Sequence, residues 1–250
     1  MNSPVEEITE EQKLRLISQD TYSFEDFKEI IACLRSPNGC PWDREQTHES
    51  LKPCMMEEAA EVLAAIRILE EHKIALNLQE ELGDVLLQVV MHAQIASENN
   101  EFCLEDVITD VSRKMIRRHP HVFGEVTAEN SEQVLSNWED IKKQEKQEES
   151  WVENPLLDIP KELPSMTQAM KLHKKLQKHY GEEIPVEESI SRVSQGLNKL
   201  EKETDQDKLS ELFADMQYEL ANIAYHKGIQ GEIVLLDKVQ NEILVHSVKS

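Results

Sequence analysis

Glycine is scarce in this chain, with 7 residues in 250 against an average usage of about 7%. Folds built on many hairpins or βα turns need glycine for positive-φ corners, so all-β and dinucleotide-binding α/β architectures are disfavoured. Basic residues are also few. Lys and Arg number 27 against 49 Asp and Glu, a net charge of −22, and such a field repels the phosphates of duplex DNA or RNA. No apolar run approaches the roughly 20 residues needed to cross a bilayer, so no membrane association is expected. Residues 1–7 lack the basic start and apolar core of a secretory leader, and the expected location is the cytoplasm. The four cysteines, Cys33, Cys40, Cys54 and Cys103, form no Cys-x-x-Cys pair. Reduced thiols filling gaps in a core are therefore expected, rather than a zinc site or a disulfide framework.

What remains is rich in Glu, Lys, Leu and Gln, and it reads as helix. Ser23 is placed to cap a helix running to about residue 35, and the turn-rich Ser36-Pro37-Asn38-Gly39-Cys40-Pro41 breaks it. Helical periodicity follows over about 48–72, 76–99, 105–118 and 131–147, the third stopping before His119-Pro120 because a residue preceding proline avoids the helical region. Pro155, Pro160 and Pro164 mark 148–164 as a linker. Further helical segments are expected at about 165–180, 187–203, 206–227 and 232–247, with no period-2 strand pattern anywhere. The expectation is all-α: a domain over 1–147, the linker 148–164 and a second domain over 165–250.

Two of the helices carry carboxylates where apolar side chains belong. On a wheel advancing about 100° per residue from Glu58, Val62, Ala65 and Leu69 fall within about 40° and Glu61 about 60° away. Glu81 and Asp84 sit one turn apart on the next helix, among Leu82, Val85, Leu86, Leu87, Val89, Val90 and Met91, with Gln88 and His92 in the same sector. A solvated face explains Glu57, Glu70 and Glu71. It does not explain four carboxylates on faces expected to be buried, where uncompensated charge is costly. The pattern asks for a cation, and an oxygen-only donor set selects a hard one, Mg²⁺ ahead of Mn²⁺. A di-iron site needs two Glu-x-x-His motifs, and only Glu45-x-x-His48 is seen.

Magnesium on carboxylates completes its shell with water and substrate phosphate. Candidate phosphate contacts are Arg113, Lys114, Arg117 and Arg118 at the end of one helix, and Lys142 and Lys143, with Lys146, on another; taken singly, each also reads as a helix-terminal or solvated charge. Trp42 has two readings, a platform for a base or, with more weight, a plug at the end of the bundle. His92 reads as a hydrogen-bonded core residue, and His119 and His121 as structural.

Four blocks occur in order: Gly39-Cys40-Pro41-Trp42-Asp43 with Gln46-Thr47; Glu57-Glu58-x-x-Glu61; Glu81-Leu82-Gly83-Asp84; and Arg117 to Gly124. Over about residues 24–147 the chain resembles the MazG family of nucleoside triphosphate pyrophosphohydrolases. The resemblance implies an all-α fold and hydrolysis of an NTP or dNTP between the α and β phosphorus atoms. It also implies Mg²⁺ held by Glu58, Glu61, Glu81 and Asp84, with Glu57 as an outer ligand or water-orienting base, and a homodimer. Two-domain members carry the acidic motifs twice. Here Gln195-Gly196, Lys199 and Leu212 stand at the second set of ligand positions and only Asp215 matches, which implies a degenerate second repeat. Two other readings stay open at this stage, a nucleotide-binding regulator without turnover and a structural helical oligomer.

Overall fold

The structure is a computed structural model, described for residues 7–124, 126–128, 130–148 and 154–247; side chains 139, 140, 143, 144 and 146–148 are outside the description. It contains twelve helices and no strand among the described residues. In order these are α1 (Glu10–Ile17), α2 (Phe24–Arg35), α3 (Pro41–Glu45), α4 (Lys52–His72), α5 (Leu76–Glu98), α6 (Leu104–Arg118), α7 (Pro120–Phe123) and α8 (Ser131–Glu148). After a 3-10 turn at Pro155–Asp158 come α9 (Ser165–Tyr180), α10 (Val186–Leu200), α11 (Gln206–Lys227) and α12 (Gly231–Ser247). None is long and apolar enough to cross a membrane. The chain divides into two compact units, Met1–Lys142 and Lys143–Ser250.

In the first unit the long helices start and stop where the sequence directs. Ser23 and Asp26 close a reciprocal cap on α2, the Asp26 amide donating to Ser23 Oγ at 3.2 Å and the Ser23 amide to Asp26 Oδ2 at 2.9 Å. With Arg15 also donating to it at 2.6 Å, the Asp26 carboxyl is held well below the usual carboxylate range, the Ser23 hydroxyl being the largest cause. Three short helices escape the periodicity: α1, and α3 and α7, each opening on a proline at its first position, where the missing N–H costs nothing. The α3 turn is drawn tight. A Cβ on Gly39 would collide with the backbone carbonyls of Cys33 and Leu34, and the Cys40 amide donates to Leu34 O at 2.8 Å.

The core lies around the C-terminal half of α5. Val90, Met91, Ala93 and Ile95 pack with Ile31 of α2, Leu51 before α4 and Leu104 of α6, each large aliphatic contributing about 1.5–3 kcal/mol by burial. Arg35 is buried and donates to Glu98 from Nε at 2.9 Å and from Nη2 at 2.7 Å, while its Nη1 reaches the carbonyls of Asp43 and Gln46. One side chain thereby fixes α2, α3 and the turn before α4 to the end of α5.

The second unit packs α10 and α9 against α11. Its interior is polar: Ser189 Oγ donates to Glu219 at 2.5 Å, Arg192 Nη1 to the same carboxylate at 2.7 Å, and Asn222 Nδ2 to Ser189 Oγ at 2.8 Å. The 3-10 turn in the connecting segment is tied to α9 by Lys175, which donates to Asp158 at 2.8 Å and to Pro155 O. α11 ends on Gly228 at φ +66°, a left-handed cap that glycine takes without strain.

Candidate metal centre

α4 and α5 run antiparallel, joined by a short turn in which Lys73 caps α4 at φ +59°. That register brings oxygens of Glu58, Glu61 and Glu81 within 4.8 Å of one another. Asp84 lies one turn beyond Glu81, outside this group and half-buried; Glu57 is exposed beside Glu58. Asn77, one turn before Glu81, donates from Nδ2 to Glu81 Oε1 at 2.7 Å and fixes that carboxylate.

The electrostatics are those of crowded carboxylates. The Glu61 carboxyl is pushed up, chiefly by loss of solvation between the helices and then by the charges of Glu58 and Glu57. Glu81 is pushed up likewise, by desolvation and then by Glu61, with Glu80 and Asp84 adding to it. Three hard oxygen donors crowded so that Glu58 raises the proton affinity of Glu61, and Glu61 that of Glu81, suit a divalent cation, which replaces repulsion with attraction.

Two expectations need correction. The carboxylates are not buried: Glu61 is exposed, and Glu58, Glu81 and Asp84 are half-buried. The apolar side chains around them are open too, Leu82 at 52% and Leu63 at 47% exposure. The first unit's core occupies the other half of α5 and leaves this face of the helix pair uncovered. Trp42 does not plug the bundle; it is 62% exposed on α3.

The basic candidates separate into groups. Arg113, Lys114 and Arg117 are exposed along the last turns of α6. Arg118 and Lys142 converge on Trp138 of α8, the guanidinium carbon 5.3 Å and the ammonium 5.2 Å from the ring centroid. Lys143 lies outside the residues whose side chains are described. Trp138 was not anticipated, although an aromatic one turn before a lysine on an otherwise polar helix is the available signal. His92 is hydrogen-bonded as expected, and its partner is His48, Nδ1 to Nδ1 at 2.7 Å. Gln88, one turn past Asp84, is buried with its Oε1 lacking a hydrogen-bond partner.

Comparison with known proteins bears on the same segment. Residues 46–123, which include α4, α5 and α6, match the MazG nucleotide pyrophosphohydrolase domain. The chain is 38% identical over 212 residues to the nucleoside triphosphate pyrophosphohydrolase/pyrophosphatase MazG of Thermotoga maritima, covering 85% of this chain and 79% of that one. It is also 38% identical over 212 residues to the nucleoside triphosphate pyrophosphohydrolase of Escherichia coli K12, covering 82% and 79%. YabN of Bacillus subtilis is 51% identical over 154 residues, which cover 61% of this chain and 30% of that one. With a domain match over the carboxylate helices and relatives aligned along most of their length, the chain belongs to the MazG family of nucleotide pyrophosphohydrolases.

Proposed function

We propose that the chain hydrolyses a nucleoside or deoxynucleoside triphosphate to the monophosphate and pyrophosphate, water attacking the α-phosphorus. The observation that carries the reading is the convergence of Glu58, Glu61 and Glu81 from two helices in a chain of this family. These carboxylates, joined by Asp84, hold Mg²⁺, with Mn²⁺ as a substitute, and Glu57 orients the attacking water or takes its proton. When bound, the ion neutralises triphosphate charge and polarises the scissile anhydride. It also explains how a chain of net charge −22 accepts a polyanion. Arg113, Lys114, Arg117, Arg118, Lys142 and Lys143 supply phosphate contacts, and Trp42 offers an exposed ring on which a base can stack.

The working domain in this reading is 1–147, with 148–164 as the connection and 165–250 as a degenerate repeat. In support, Gly196, at a ligand position of the second repeat, leaves room that the Met216 side chain takes, so that a Cβ there would sit 2.7 Å from Met216 Cγ. The uncovered apolar face of α4 and α5 supports a homodimer, and the substrate class supports a cytoplasmic location.

The test is to incubate the chain with each NTP and dNTP and Mg²⁺ and to measure pyrophosphate and monophosphate. Pyrophosphate release that is abolished in Glu61→Gln supports the proposal. Orthophosphate as product, or unchanged activity in that variant, overturns it. Saturable nucleotide binding without turnover marks a regulator instead.

A further inference from the structure

His48 and His92 meet edge to edge. Their ring planes are parallel within 2° and their centroids lie 5.1 Å apart. With Nδ1 facing Nδ1 at 2.7 Å, the rings are nearly coplanar, the geometry of a linear N–H···N hydrogen bond. Such a bond needs one proton between the two nitrogens, neither two nor none.

The pair joins two elements that matter to the carboxylates. His48 stands in the turn before α4 and His92 on α5. His48 lies ten residues before Glu58, and His92 eleven residues after Glu81, so both contacts belong to one antiparallel register, about 16 Å apart along α5. The opposite end of the helix pair is closed by the turn at Lys73. The histidine contact therefore pins the free end of the same register that assembles the carboxylate cluster.

Glu101 Oε2 lies 3.8 Å from His48 Nε2, beyond hydrogen-bond reach. One Nδ1 of the pair donates and the other accepts. Other charged groups on the elements packed around α5 are engaged elsewhere: Arg35 of α2 with Glu98, Lys28 of α2 with Glu105 of α6, and Lys52 of α4 with Glu49. Burial, and next the charge of His48, hold His92 below the ordinary histidine value of 6.5.

We infer that His48 and His92 are positioning residues for the proposed metal site, a lock that holds the α4–α5 register through one shared proton and opens when both rings are protonated. Two protonated rings would set N–H against N–H at 2.7 Å, and the contact cannot survive. The direction follows from linkage. A histidine whose folded pKa is depressed contributes stability that is present above 6.5 and is lost as pH falls below it, because the unfolded chain binds the proton first.

The inference rests on the proposed carboxylate site, and its test needs no turnover. Melting temperature and Mn²⁺ affinity of the full chain are measured at about pH 7.5 and about pH 5.5 for the wild type, His92→Asn and His92→Ala. Asparagine offers an amide where His92 offers Nδ1 and does not titrate, so it keeps the contact and removes the switch. The wild type is expected to lose about 3 °C more than His92→Asn on acidification, and to lose more Mn²⁺ affinity; carboxylate protonation is common to both chains and cancels in the comparison. His92→Ala is expected to bind Mn²⁺ more weakly than the wild type already at the higher pH. Imidazole ¹⁵N spectra of the wild type are expected to show a protonated Nδ1 on one ring hydrogen-bonded to an unprotonated Nδ1 on the other, and on acidification the unprotonated partner and the hydrogen bond are lost while both rings become protonated. Equal pH dependence in wild type and His92→Asn, or unaltered Mn²⁺ affinity in His92→Ala, overturns the lock. A chain that binds Mn²⁺ in this pH-dependent way yet releases no pyrophosphate upholds the lock and overturns the proposed hydrolysis.

Discussion

Glu61 shows how a proposed metal ligand works against its own fold. Its carboxyl, like that of Glu81, is pushed above the ordinary glutamate value of 4.5 by desolvation and neighbouring charge. The metal-free fold thus binds protons that the unfolded chain does not, and these groups destabilise it at neutral pH. Their penalty shrinks as pH falls through the raised values toward 4.5. Glu61→Gln is therefore expected to melt higher than the wild type in EDTA near neutral pH, by a margin that narrows on acidification, while losing Mg²⁺-dependent hydrolysis. Calorimetric melts with and without Mg²⁺ check both halves, since the ion should raise the wild-type transition and leave the variant unmoved. These carboxylates were legible because a helical wheel places charge among Val62, Ala65 and Leu69. Asn77, Trp138 and the His48–His92 pair were not resolved in advance, since each owes its role to a partner that helix docking supplies. Trp42 was misjudged for a related reason: a proline turn fixes where a side chain begins, and not whether another element covers it.

At the scale of elements, start and stop signals were the dependable part of the sequence. Ser23 before α2, His119-Pro120 after α6 and the expected segments of the second unit all correspond to observed helices. The short α3 was hidden because five residues carry no period, yet it is tied to the core through the carbonyl of Asp43. Arg35, buried with a two-point contact to Glu98, anchors it. Arg35→Ala is expected to cost about 3 kcal/mol, because it leaves Glu98 with only the hydrogen bond from Gln94 and frees the carbonyls of Asp43 and Gln46; urea denaturation measures the loss, and a much smaller cost would mean that Gln94 and solvent relieve Glu98. Gly39→Ala should also destabilise, by about 2 kcal/mol or more, since the added methyl meets carbonyls of Cys33 and Leu34 that the turn cannot move apart.

At the scale of the whole molecule, the face that bears the proposed chemistry is left open within the first unit. Leu63, Ile66, Leu82 and Leu86 are exposed around the carboxylates, although the sequence reads these faces of α4 and α5 as buried. Periodicity reports that a helix is meant to be covered, and it carries no information on whether the cover comes from the same chain. Gly83 makes the distinction measurable. A Cβ there meets nothing within 4 Å, so within one chain alanine is the better helix former by about 0.5–1 kcal/mol. A glycine between two exposed leucines acquires a purpose if a second copy seats its helices closely there. Gly83→Ala is therefore expected to raise the melting temperature at low protein concentration and to weaken self-association in sedimentation experiments by about tenfold, equivalent to about 1.4 kcal/mol. Hydrolysis per chain should fall at dilution and return as concentration rises. A variant that is stabilised and self-associates as the wild type does would remove Gly83 from the interface, and would leave the apolar side chains of α4 and α5 to be covered by another surface.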